Sequence, residues 1–308
     1  MKQGGSPPTG KWAGSPLGGV EAPDPIYLPD PTLRFLATAS RFESLAKGHP
    51  MAEWLRFIAA VSRAQHAAAT SLTLAVPLAQ TDLEQAVENR KPPLAPTEQL
   101  DPAWRDGLAI MLDSLDHNVT PDGSARAIDE LRRNDASAIE AIAHDFLCET
   151  IDSREAVAAF YVAAALQVYF TLMAGSLRAK VLRLLPERGL CPCCGSTPVS
   201  GIITASGKTP GTRYLYCSLC STAWNHVRAV CITCASTGAL SLRGIEGDSG
   251  AVKAEVCDDC HTYAKMLYQS KDLKVDPFAD DLASLGLDMM VSDAGWARHA
   301  PNPLLLAR

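Results

Sequence analysis

Four Cys-x-x-Cys pairs carry the chemistry that can be read from this sequence: Cys191 and Cys194, Cys217 and Cys220, Cys231 and Cys234, Cys257 and Cys260. Each cysteine of the first two pairs recurs 40 residues later in the last two. Ser196-Thr197 returns as Ser236-Thr237, Arg213 as Lys253, and Thr222 as Thr262. A unit of two pairs separated by 22 residues has therefore been used twice. Two thiolates separated by two residues can grip one ion from a tight turn whose backbone N–H groups point at the sulfurs. Two such turns, brought together by a β-hairpin, complete a tetrahedral four-sulfur site. Gly195, just after a second ligand, supplies the permissive backbone such a turn needs.

The duplication favours sequential pairing, with one site from Cys191, Cys194, Cys217 and Cys220 and another from Cys231, Cys234, Cys257 and Cys260. A cross-braced arrangement would interleave the pairs. Units this short cannot fold on apolar burial alone, so ion binding, worth about 10–16 kcal/mol in structural zinc sites, must supply most of their folding free energy. On that basis, replacing Cys217 or Cys257 should unfold the local module and leave the helical bundle standing. Tetrahedral thiolate coordination suits zinc and rubredoxin-type iron alike. Disulfides are rare in the cytosol, and Cys191-Pro192-Cys193-Cys194 is followed by Gly-Ser-Thr-Pro, which cannot open the helix a thioredoxin-like motif requires. Cys193 reads as a spare thiol, and Cys148 as an inert buried side chain on a helix stripe.

These modules must be carried by something larger. From Pro31 to about Pro186 the apolar periodicity is helical: Trp54, Phe57, Ile58, Val61; Leu108, Met111, Leu112, Leu115; Ile139, Ile142, Ala143, Phe146. Breaks at 47–50, 92–96 and 120–123 divide this region into six or seven helices. From Ala156 to Leu177 there is no charged residue, a length that could cross a bilayer. Its many alanines, with Gln167, Thr171, Gly175 and Ser176, favour the central helix of a bundle, continuing to a basic end at Arg178, Lys180 and Arg183. The expected architecture is multidomain: a Gly/Pro/Ser-rich disordered tail (1–25), an all-α bundle (26–186), two tandem tetracysteine β modules of rubredoxin or zinc-ribbon type (187–226 and 227–262) and a helical extension (263–308). In the extension, Tyr263, Met266 and Leu267, then Leu282, Leu285 and Met289, are read as a returning helical stripe.

The formal net charge is −6, and between 186 and 262 six basic side chains balance six acidic ones. Four thiolates around Zn²⁺ add a charge of −2 per site, so the metallated modules are net negative and ill suited to nucleic acid. The start lacks the apolar run of a secretory signal, and Arg132-Arg133 is followed by no apolar stretch, so a cytoplasmic location without stable membrane insertion is expected. No P-loop, dinucleotide fingerprint or Ser/His/Asp array appears, which points to a binding protein rather than an enzyme. Self-association is compatible with the sequence.

Cys-Pro-Cys-Cys-Gly-Ser-Thr-Pro-Val from 191, Arg-Tyr-Leu-Tyr-Cys-Ser-Leu-Cys from 213 and Lys-Ala-Glu-Val-Cys-Asp-Asp-Cys from 253 resemble the FdhE family of formate dehydrogenase accessory proteins. So do Tyr-Gln-Ser-Lys-Asp from 268, Ala-Asp-Asp-Leu-Ala-Ser-Leu from 279 and Asn-Pro-Leu-Leu from 302, with looser matches at Ile26-Tyr27-Leu28-Pro29 and 45–50. The resemblance implies a cytoplasmic assembly factor with a helical domain and two rubredoxin-like modules, each holding one iron ion, with zinc the alternative. It implies action on the catalytic subunit of formate dehydrogenase, without formate oxidation of its own. A rubredoxin-like redox or electron-transfer protein is the competing reading. Ala223-Trp224-Asn225-His226 departs from the family pattern, which has an acid before the Trp and a His directly after it.

Overall fold

The computed structural model describes residues 22–73, 78–97, 100–115 and 120–305; most of the expected N-terminal tail lies outside them. Seven α-helices precede the cysteines among these residues: α1 (Pro31–Leu45), α2 (Ala52–Ser71), α3 (Gln80–Glu88), α4 (Ala103–Asp113), α5 (Asp122–Arg133), α6 (Ala136–Leu147) and α7 (Ala156–Gly175). Asp30 caps α1 by accepting from the Thr32 N–H at 2.9 Å, with Pro31 at the first helical position, and Asp135 caps α6 through Ala138.

Helix α7 is apolar enough to cross a bilayer, but here it forms the centre of the bundle, packed against α1, α2, α4, α5 and α6. A helix apolar on every side needs neighbours on every side. Phe35, Phe42, Leu55, Ile58, Trp104, Met111 and Leu166 are buried around it. Its deeply buried Gln167 accepts from Gln65 Nε2 at 3.0 Å and donates its own Nε2 to the Ser218 carbonyl at 2.7 Å. That second bond ties the bundle to the cysteine region. The helix stops at Gly175, where an added Cβ would strike Pro31, so Arg178, Lys180 and Arg183 lie beyond α7 rather than on its end.

The β-strands form one sheet, joining both 40-residue units. β2 (Pro198–Ile203), β3 (Arg213–Cys217) and β4 (Ala223–Asn225) make one antiparallel meander, and β5 (Leu240–Arg243), β6 (Val252–Cys257) and β7 (Thr262–Tyr268) make the other. A parallel pairing of β2 with β7 joins them. β1 (Ile26–Tyr27) extends the outer edge of the first meander beside β4, with Ile26 opposite Trp224. β8 (Ala297–Arg298) pairs with β7 in parallel.

Tyr263, Met266 and Leu267 therefore lie on a strand, not on the helix their spacing suggested. β7 is covered on both faces, so successive residues are buried and period-two alternation is hidden. The tail becomes helical only at α8 (Ala279–Ala283) and α9 (Leu285–Asp293), where Leu287 and Val291 face inward and Met289 is exposed.

Three side chains of α1 pin this tail to the bundle. Arg41 pairs with Asp280 at 2.6 Å and Asp272 at 2.7 Å, Thr38 donates to Asp276 at 2.9 Å, and the Arg34 guanidinium stacks 3.6 Å above the Phe278 ring.

Candidate metal centres

The four knuckles follow from one local rule. In each, the residue after the second cysteine has left-handed backbone: Gly195 (φ 81°), Ser221 (φ 60°), Ala235 (φ 60°) and His261 (φ 52°). The left-handed residue turns the chain so that N–H groups face sulfur. Cys193 N–H points at Cys191 Sγ (3.4 Å), Cys220 N–H at Cys217 Sγ (3.3 Å) and Thr233 N–H at Cys231 Sγ (3.4 Å). Only one of the four positions is glycine. The other three residues are held in a conformation costing about 1–2 kcal/mol each, which persists where surrounding bonds over-determine it.

The hairpins bring these knuckles together in sequential pairs. Cys191, Cys194, Cys217 and Cys220 converge, as do Cys231, Cys234, Cys257 and Cys260, with the sulfurs of each quartet all within 4.8 Å of one another. Cys191 and Cys220 sulfurs stand 3.5 Å apart, Cys194 and Cys217 3.4 Å, Cys231 and Cys260 3.7 Å, and Cys234 and Cys257 3.7 Å. A disulfide would need about 2.05 Å. Thiolates at about 2.3 Å from a tetrahedral ion stand about 3.8 Å apart, so both quartets can hold one ion each.

The donor chemistry agrees. Burial pushes the Cys191 and Cys217 thiols well above the usual thiol range, and only a cation among them would make four buried thiolates favourable. Thr222 and Thr262 place hydroxyls 3.2 and 3.1 Å from Cys220 and Cys260 sulfur, equivalent supports in the two units. Cys193 is buried and stands outside the quartet, its carbonyl accepting from Leu94 N–H at 2.7 Å. Cys148 is exposed rather than buried: it closes α6, where its sulfur sits 3.7 Å from His144 Nε2.

Arg213 joins the two units and was singled out in the sequence only as the counterpart of Lys253. Its buried guanidinium pairs with Glu255 on β6 and donates to the carbonyls of Val227 and Val230, the segment leading into Cys231. Trp224 and His226, within the stretch that departs from the family pattern, complete this junction. Trp224 Nε1 donates to the Arg188 carbonyl at 2.9 Å, and His226 Nδ1 lies 2.7 Å from Arg213. Burial and the adjacent Arg213 hold His226 down at about 4, so it is uncharged at neutral pH.

Gly189 touches the second knuckle so closely that a Cβ there would collide with the Ile232 carbonyl. Gly189→Ala should destabilise the junction by about 1–3 kcal/mol. Metal counting by native mass spectrometry should show an ion lost from the second centre and retained by the first.

Comparison with known proteins covers nearly the whole chain. Residues 23–186 match the family described as FdhE, N-terminal, residues 190–228 that described as FdhE, central domain, and residues 229–305 that described as FdhE, C-terminal domain. A protein named Protein FdhE homolog from Rhizobium meliloti is 34% identical over 296 residues, covering 95% of this chain and 96% of its own. Protein FdhE of Escherichia coli (strain SMS-3-5 / SECEC) is 35% identical over 284 residues, 91% of each. The crystal structure of the FdhE protein from Pseudomonas aeruginosa superposes with a TM-score of 0.81 at 32% identity, covering 92% of this chain and 99% of that one.

Proposed function

The chain belongs to the FdhE family, and from that premise we propose that it is a cytoplasmic accessory protein that binds the catalytic subunit of a formate dehydrogenase during maturation, without turnover of its own. The observation that carries this reading is the rigid presentation of two tetracysteine clusters on one sheet, braced by a helical body through Gln167, Arg34 and Arg41. Such a scaffold offers a stiff recognition surface. An accessory protein must recognise an incompletely assembled client and then release it, which favours modest affinity. Iron is the ion that family resemblance favours, with zinc the alternative; Cys191, Cys194, Cys217 and Cys220 would hold one and Cys231, Cys234, Cys257 and Cys260 the other.

Purified protein mixed with the catalytic subunit should form a complex and show no formate oxidation when tested alone. Absence of binding with the metals reduced and with them oxidised would overturn the proposal. Exposure of Cys234 favours a second reading, electron transfer through an iron-loaded second centre. A reversible iron couple combined with no client binding would select it.

A further inference from the structure

The repeat places equivalent ligands in opposite surroundings. All four cysteines of the first quartet are buried. Its second knuckle is roofed by the helical body: Gln167 donates to the Ser218 carbonyl, Thr171 Oγ1 lies 3.1 Å from Ser221 Oγ, and Arg34 Nε donates to the same hydroxyl at 3.0 Å. Pro92 closes over Gly195. A cavity of about 720 Å³ reaches Cys194 beside Gly195 and Ser218, yet all four cysteines of this quartet stay buried.

The second quartet has no comparable roof among the described residues. Cys234 is exposed and Cys260 half-buried, as Thr233, Ala235, Asp258, Asp259 and His261 around them are exposed or half-buried. The substitutions between the units follow this difference, since buried Ser218 and Leu219 become Asp258 and Asp259. A cavity of about 470 Å³ lies at the junction of the units, with Cys231 and Cys234 on its wall beside His226 and His299. His299 Nδ1 is 2.7 Å from Thr233 Oγ1, while its Nε2 is buried without a hydrogen-bond partner. A lone unpartnered imidazole nitrogen beside a thiolate site is a spare donor for a borderline cation.

We propose that the two centres differ in kind: the first is a permanent structural site, and the second is an exchange site for a divalent cation, reached through the junction cavity. This rests on the reading of both quartets as metal sites. Exchange requires no redox change. The ion's bond to the exposed Cys234 thiolate breaks as a bond to an outside donor forms, and the freed thiolate takes a proton from water. The exposed Asp258 and Asp259, between Cys257 and Cys260, would raise the cation concentration around this quartet.

The test uses the zinc-loaded full chain and the uncharged chelator 1,10-phenanthroline, with ions counted by native mass spectrometry over time. One ion should leave at least about a hundredfold faster than the other, because an ion on four buried cysteines departs only when the knuckles part from the helical body. Brief alkylation of the one-ion species, followed by peptide mapping, should label Cys231, Cys234, Cys257 and Cys260 and spare Cys191, Cys194, Cys217 and Cys220. Equal release rates, or labels in the first quartet, would overturn this inference and leave the accessory function intact. A chain that takes up no zinc would overturn it together with the metal reading.

Discussion

Cys217→Ser will destabilise the helical bundle as well as its own module, contrary to the independence expected from sequence, because Cys217 shares the bundle's apolar cluster; Cys257→Ser will leave the helical body folded. Both substitutions remove a cysteine from a quartet whose ion would contribute on the order of 10 kcal/mol or more to folding, so the difference lies in what each quartet is attached to. Cys191, Cys194, Cys217 and Cys220 belong to the same apolar cluster as Phe35, Leu55, Trp104 and Leu166, and the knuckle of Cys217 and Cys220 is bonded to α1 and α7. Ala254, Val256 and Tyr263 of the second unit instead form a separate cluster with Leu287 and Val291 of α9. Loss of the first ion thus strips contacts from the floor of the bundle. The expected fall in melting temperature for Cys217→Ser is on the order of 10 °C or more, read from helical circular dichroism. For Cys257→Ser the helical transition should move by no more than a few degrees, while proteolysis cuts between 231 and 260. Equal shifts in the two variants would contradict this account of their attachment.

Asp281→Ala should cost about 3–5 kcal/mol, because it strands the buried Lys265 and the half-buried Arg298. Asp281 is fully buried and pairs with Arg298, with Lys265 at 3.4 Å and with Asn302 Nδ2 at 2.7 Å. Lys265 is itself buried on β7 and also reaches Asp288 at 2.5 Å. Without Asp281, both cations would compete for Asp288. Burial pushes the Asp281 pKa up, but Arg298 and Lys265 outweigh it, and the net direction is below the ordinary 3.8. A carboxylate depressed in the folded state stabilises above its unfolded pKa, and that contribution fades as pH falls through the lower folded value. Urea unfolding of Asp281→Ala should therefore show its full deficit at pH 7 and a smaller one near the acid limit of folding. A deficit below about 1 kcal/mol at pH 7 would mean that the network is bypassed.

The two cysteine quartets were legible because a 40-residue repeat of cysteine pairs has few physical readings, and each quartet converges where that repeat places it. The helical stripes through Ile58, Val61, Leu108 and Met111 were legible for a related reason: apolar residues recurring at helical spacing all turn inward to one core. What escaped the sequence was long-range. Pairing of β2 with β7, which merges the two units into one sheet, depends on residues 65 apart, and no local spacing encodes it. Burial on both faces disguised β7 as a helical stripe. Arg34, Arg41 and Lys265 look like ordinary surface charges until Phe278, Asp280 and Asp281 fold against them. Cys148 fell on an apolar-looking stretch, yet it sits where α6 ends and the chain turns outward.

One ion per quartet is the expected content of the chain, and metal counting combined with X-ray absorption will show it. The wild-type chain should carry two ions, each with four sulfur neighbours at about 2.3 Å, and Cys234→Ser should retain one with its four-sulfur shell unchanged. A wild-type stoichiometry near zero or one, or loss of both ions in Cys234→Ser, would contradict it.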